Sequence, residues 1–185
     1  MSQIFLVGGG CRSGKSNFAL KLAESLQGPK IFLATAKVYD QEMAERVQRH
    51  QQERHTSWQT WEEALHVPER ISKAKSGSVF LIDCLTLWVS QMMMAEWPEK
   101  KILAAGNCLI DAIRSGDHQA VIVSNEVGMG LVPDNRLGRD FRDLMGWMHQ
   151  ALASHADEVY FTTFGISLPL KRLESLSRGA DIPDV

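Results

Sequence analysis

The chain has 185 residues, is 44% hydrophobic and carries a formal net charge of -2. That length and apolar fraction suit one compact α/β domain with a sizeable core, and the near-neutral balance gives no bulk support for binding nucleic acid or an anionic membrane surface. No apolar run nears the roughly 20 residues of a bilayer span, so no membrane insertion is expected.

Met1 to Val7 leads directly into a strand pattern, without the basic region or cleavage site of a signal peptide. Ile4 to Val7 is a continuous apolar run ending in three glycines, the pattern of a buried parallel strand that feeds a tight turn. From Ser16 the apolar residues Phe18, Ala19, Leu22, Ala23 and Leu26 recur at helical spacing, and Gly28-Pro29 closes the helix. Ile31 to Ala34 reads as a second strand. Asp40 can cap a helix that includes Met43 and Val47, and Glu62 to Lys73 reads as a more polar helix. Ser78 to Ile82 is a third strand, ending at Asp83. Leu85 to Ala95 reads as a helix in which Met92 to Met94 serve as packing residues.

A further helical pattern runs from Pro98 to about Ser115, then a strand from Ala120 to Val123. A glycine-bearing loop spans Gly128 to Pro133, a long helix Asn135 to His155, and a final strand Val159 to Thr163. The polar segment from Leu173 is expected to be loosely ordered. Strands alternating with helices imply a mostly parallel sheet covered on both faces. Cys11, Cys84 and Cys108 are odd in number and widely spaced, which fits neither a disulfide framework nor a zinc cluster, so a reducing cytoplasm is expected.

Gly9-Gly10-Cys11-Arg12-Ser13-Gly14-Lys15-Ser16 matches G-x-x-x-x-G-K-[ST] in full, after a strand and at the start of a helix. Glycines let the backbone curl so that successive N–H groups face phosphate oxygens, and the helix start adds its positive dipole end. Lys15 is expected at the β- and γ-phosphates of ATP or GTP, with the Ser16 hydroxyl on Mg²⁺. Asp83, at the end of an apolar strand, reads as a second metal ligand or as a helix cap before Leu85. Cys84 and Thr86 are close enough in sequence to line the same site. The fold class is therefore α/β, a P-loop NTPase-like (RecA-like) single domain over residues 1–185. No N-K-x-D element for reading guanine occurs, and the chain is short for a motor or helicase. Small-molecule kinases and nucleotidyltransferases remain, beside a nucleotide-binding regulatory protein.

Met43, Val47 and His50 fall on one helical stripe, with Arg46 and Arg54 four residues to either side of the histidine. A neutral imidazole there can attack phosphorus, or it can be a satisfied histidine at a helix end. His55, His66, His118 and His155 read as surface residues. Asn125-Glu126 follows a strand, where ligands bind in open α/β sheets. Glu126 reads either as a base or orienting group or as a loop-stabilising carboxylate. Arg136, Arg139 and Arg142 form either a phosphate-facing stripe or a solvated helix face.

Taken with Ala34-Thr35-Ala36, Asp40-x-Glu42-Met43-x-x-Arg46-Val47-x-x-His50, Ser124 to Pro133, Asn135-Arg136 and Phe141-Arg142-Asp143, the cradle motif resembles one family from Ile4 to about Lys171. That family is the bifunctional adenosylcobinamide kinase / adenosylcobinamide-phosphate guanylyltransferase of cobalamin biosynthesis. The resemblance implies phosphorylation of adenosylcobinamide, then transfer of GMP from GTP through a guanylylated histidine, which maps to His50. The product is adenosylcobinamide-GDP. It also implies GTP contacts from Thr35, Ala36, Lys37, Gln51, Gln52, Glu53, Arg54, Glu62 and Asp83, and a homotrimer. A monofunctional P-loop kinase is the alternative. The chain departs from the family pattern at Arg49, where some members carry a second histidine. It also departs at Gln51 to Glu53, less basic and without the glycine of some relatives, and at His149, where the family often has asparagine.

Overall fold

The computed structural model describes residues 1–35 and 58–179. Its seven strands are β1 (Gln3–Gly9), β2 (Lys30–Ala34), β3 (Gln59–Glu62), β4 (Val79–Asp83), β5 (Gln119–Asn125), β6 (Glu158–Thr163) and β7 (Ile166–Pro169). They form one sheet in the order β3-β2-β4-β5-β1-β6-β7, parallel except for the antiparallel β6–β7 pair. The described helices are α1 (Lys15–Ser25), α2 (Val67–Ile71), α3 (Leu85–Met94), α4 (Glu99–Ser115), α5 (Arg136–His155) and α6 (Leu170–Gly179).

The inner strands are apolar on both faces because both are covered. Ile4, Leu6, Ile31, Leu33, Phe80, Ile82 and Ile122 pack with Val67, Trp88, Leu109 and Met148 of α2 to α5. The alternate residues Phe5, Val7, Phe32, Leu81, Val121 and Val123 pack with Ala19 and Ala23 of α1. The sheet covered on both faces is thus as expected, and so are β1, β2, β4, β5, β6 and the helices from Leu85 to His155, within a residue or two. Asn135 caps α5 by accepting from the Gly138 N–H at 2.7 Å. Met92 is fully buried, whereas Met94 is exposed. The expected Asp40 helix lies outside the described residues. None of the described helices is long and apolar enough to cross a membrane.

Four expectations are corrected. Glu62 to Lys73 is not one helix: β3 ends at Glu62, and only Val67–Ile71 is helical. The edge strand reads as polar because Gln59, Thr60 and Glu62 face solvent. Trp61 alone turns inward, edge-on to Phe80 at 6.0 Å with the Arg70 guanidinium 4.3 Å above its ring. The Glu63 carboxylate then accepts from the Leu65 and His66 amides at 3.0 and 2.9 Å, which holds a turn between strand and helix.

The strand ending at Thr163 is not the last, since the Phe164-Gly165 turn leads into β7. The segment from Leu173 is helical through Gly179, with Lys171 donating to the Ala156 carbonyl and Arg172 paired with Glu158 at 3.4 Å, both tying α6 to the start of β6. Finally, His118 is buried rather than on the surface. Its Nδ1 accepts from the Ser78 N–H at 3.2 Å, and its ring meets Phe80 edge-on at 5.1 Å. Burial holds its pKa below the ordinary histidine value, against the opposing charge of Asp117.

Candidate active site

Because β1 to β6 run parallel, their C-terminal ends share one edge of the sheet. β1 ends at Gly9, and α1 begins at Lys15 behind Gly14, whose φ of 97° lies in the left-handed region that favours glycine. Gly14 brings no side-chain cap, so the first-turn amides are open to an anion. The loop is braced from within by Ser13 N–H to Gly10 O at 3.3 Å, and from the β6–β7 turn by Gly165 N–H to Ser13 O at 2.9 Å. Lys15 is buried, with its Nζ donating back to Gly10 O at 3.1 Å. The buried Ser13 Oγ has no hydrogen-bond partner among the described residues, a polar group of the kind a ligand satisfies. Ser16 is half-buried in the first turn of α1, and Cys11 and Arg12 are exposed.

Gly9 is required for a steric reason. A Cβ there would sit 2.4 Å from the Thr162 carbonyl oxygen and 2.7 Å from Ser13 Oγ. Since the first contact is backbone, it cannot be relieved by rotating a side chain. Gly9→Ala is expected to lower stability by about 1–3 kcal/mol, measured by urea denaturation, through overpacking and displacement of the loop. An unchanged midpoint would contradict this close approach.

Asp83 closes β4, half-buried, in register with Ala34 on one side and Val123 on the other. It is not the helix cap: Cys84 occupies that position, with no side-chain cap hydrogen bond. The fully buried Thr35 clamps this strand end. Its hydroxyl donates to Cys84 O at 2.7 Å and accepts from Cys84 N–H at 2.9 Å, while its own N–H reaches Asp83 O at 3.3 Å. Burial, reinforced by the Asp83 carboxylate, pushes the Cys84 thiol up to about 11, so it packs as a neutral group. Glu62 ends β3, exposed and in register with Ala34.

Strand order supplies what the motifs did not. β5 lies between the Asp83 strand and the cradle strand, with Asn125 in register with Gly9 and the Glu126 N–H donating to Gly9 O at 3.0 Å. The Glu126 carboxylate accepts from the Gly128 and Met129 amides, the loop-stabilising role. Arg139 braces the same loop through the Pro133 and Asp134 carbonyls at 3.0 and 2.9 Å, and Arg136 faces Asp140 at 3.5 Å on the surface. The arginine stripe therefore serves the loop and the solvated helix face at two of its three positions. Sequence reasoning missed the line from buried Thr86 and Ser124 to half-buried His149 behind this edge, because consecutive members stand 38 and 25 residues apart. The expected positions Ala36, Lys37, His50, Gln51, Gln52, Glu53 and Arg54 lie outside the described residues.

A family model described as cobinamide kinase / cobinamide phosphate guanyltransferase matches residues 5–170. The chain is 36% identical over 167 residues to the bifunctional adenosylcobalamin biosynthesis protein CobP of Pseudomonas aeruginosa, covering 90% of this chain and 96% of that protein. It is 37% identical over 184 residues to the bifunctional adenosylcobalamin biosynthesis protein CobU of Escherichia coli, covering 91% and 99%. Among solved structures, it resembles a prototypical ATPase from the type III secretion system of pathogenic bacteria. There the TM-score is 0.53 at 11% identity, over 98% of this chain and 55% of that one. That likeness concerns the fold alone, and it agrees with the mostly parallel α/β sheet expected from the sequence.

Proposed function

The chain belongs to the cobinamide kinase / cobinamide phosphate guanyltransferase family and is a bifunctional enzyme of cobalamin biosynthesis; we propose that a single phosphate cradle, Gly9 to Ser16, serves both of its reactions. The observation that carries this reading is the cradle itself, a strand–loop–helix turn with open amides, a Ser13 hydroxyl without a partner among the described residues and a lysine folded back on the Gly10 carbonyl. In the first reaction the aminopropanol hydroxyl of adenosylcobinamide attacks the γ-phosphorus of ATP or GTP. The bond from that phosphorus to the β-phosphate bridging oxygen breaks, and the hydroxyl proton leaves to solvent or a base. Lys15 and the loop amides act by position and charge, holding the β- and γ-phosphates where negative charge redistributes.

In the second reaction a ring nitrogen of His50 attacks the α-phosphorus of GTP, and pyrophosphate leaves. A phosphate oxygen of adenosylcobinamide phosphate then attacks the same phosphorus, the P–N bond breaks, and adenosylcobinamide-GDP forms with neutral His50 restored. Thr35, Ala36, Lys37, Gln51, Gln52, Glu53, Arg54 and Glu62 are read as the guanosine side of the site, with the Thr35 hydroxyl also clamping Cys84.

The donor set fits Mg²⁺, a hard cation that keeps several waters and takes one hydroxyl and one carboxylate. Ser16 and Asp83 would hold it, where it would neutralise phosphate charge. Both reactions are assigned to one domain over residues 1–185, working as a homotrimer in a cytoplasm that keeps Cys11, Cys84 and Cys108 reduced. The test is turnover. Purified chain with adenosylcobinamide, ATP, GTP and Mg²⁺ is expected to yield adenosylcobinamide phosphate and then adenosylcobinamide-GDP by chromatography. Nucleotide binding without conversion of any corrinoid would favour a regulatory protein instead.

A further inference from the structure

His149, on α5, points its Nε2 at Ser124 Oγ at 2.6 Å. Ser124 Oγ lies 3.3 Å from Thr86 Oγ1, and Thr86 Oγ1 accepts the Asn125 backbone N–H at 2.8 Å. Ser124 and Thr86 are buried. A backbone N–H can only donate, so Thr86 Oγ1 accepts it. With the Thr86 proton on Ser124 and the Ser124 proton on a lone pair of Nε2, the neutral ring carries its proton on Nδ1. A doubly protonated ring reverses this, because Nε2–H must donate and Ser124 must turn its proton back toward Thr86 or the Asn125 carbonyl at 3.5 Å. Such a reversal deprives the Thr86 proton of Ser124 as its acceptor and re-aims two buried hydroxyls.

The far end of the line is the cradle. Asn125 is in register with Gly9, and the next amide, Glu126 N–H, holds the Gly9 carbonyl. We propose that His149 is a positioning residue which, through Ser124 and Thr86, fixes the β5 terminus beside Gly9 and so couples nucleotide binding to its own protonation. This rests on reading Gly9 to Ser16 as the nucleotide cradle.

The surroundings favour the neutral ring. Burial lowers the pKa of His149, and the Glu126 carboxylate opposes that shift. No ionisable side chain occurs on α3, β1 or β5, and the ionisable residues of α4 (Glu99, Lys100, Lys101, Cys108, Asp111 and Arg114) are exposed. On α5 itself Arg142 lies two turns earlier, and Asp83 ends the strand beside β5. With its pKa below the ordinary value, the ring is neutral at physiological pH and charges only in acid. Nucleotide affinity should therefore be full above the folded-state pKa and fall as pH drops through it. By linkage, a bound nucleotide must lower that pKa further.

The test compares binding of a non-hydrolysable GTP analogue with Mg²⁺ to the wild type and to His149→Asn, from about pH 8 to about pH 5. Asparagine keeps a polar partner for Ser124 but does not titrate, and the ratio of the two affinities cancels protonation of the triphosphate. The wild-type to variant ratio is expected to fall about fivefold or more on acidification. In the wild type alone, the NMR titration midpoint of the His149 ring is expected to drop when the analogue is added. A ratio constant with pH, or a midpoint that the analogue does not move, overturns the coupling and leaves the cradle standing. Failure of both proteins to bind at any pH overturns the cradle reading together with the coupling.

Discussion

Lys15→Ala is expected to lower both phosphorylation of adenosylcobinamide and formation of adenosylcobinamide-GDP by at least about 10²–10³-fold in kcat/KM, the scale of losing one well-placed transition-state donor. Lys15 sits in the first turn of α1, buried, and its ammonium spends its hydrogen bond on the Gly10 carbonyl of the same loop. When phosphates enter, that bond is expected to be exchanged for a charged one whose strength grows as negative charge shifts during transfer. Folding depends on the ammonium far less. The variant gives up one side-chain-to-backbone bond, about 1 kcal/mol, so a near-normal urea midpoint should accompany the lost activity. Steady-state rates for both reactions, with denaturation of the same preparations, check this. Loss of only one activity would mean that the two reactions use different phosphate sites.

His50→Ala is expected to separate the two activities. GMP transfer should fall by roughly 10⁴-fold or more, because removing a nucleophile removes the covalent route as a unit. Phosphorylation of adenosylcobinamide should continue, since attack on the γ-phosphorus needs no histidine. Adenosylcobinamide phosphate would then accumulate in reactions that contain ATP and GTP together, which chromatography reads directly. Equal loss of both products would instead give His50 a structural role.

How much of this was legible in sequence depends on the range of the signal. The strand–loop–helix turn at Gly9 to Ser16 was readable because the whole motif lies within eight residues and its neighbours have strand and helix periodicity. The place of Asp83 at the end of β4 was readable because an apolar run ended on a carboxylate. The edge elements were not. β3 is polar because it is solvated, and the alternation of β7, Ile166-Ser167-Leu168, is cut short by Pro169, so neither carries a pattern long enough to mark a strand. His118 and Phe80 meet only after β4 and β5 pair, and no local pattern announces a buried imidazole in the turn before β5. The Thr35–Cys84 clamp and the Thr86–Ser124–His149 line join residues brought together by strand order, which hydrophobic pattern alone does not give.

The central claim, one cradle feeding a guanylylated histidine, is tested most directly by intact-mass and peptide-fragment mass spectrometry of the chain after incubation with GTP and Mg²⁺. Wild type is expected to gain the mass of one GMP, stable to base and lost in acid, on the peptide that holds His50. His50→Ala should gain none, and Lys15→Ala should acquire it far more slowly. An adduct on another residue, no adduct in an enzyme that still makes adenosylcobinamide-GDP, or full-rate labelling of Lys15→Ala would contradict the account.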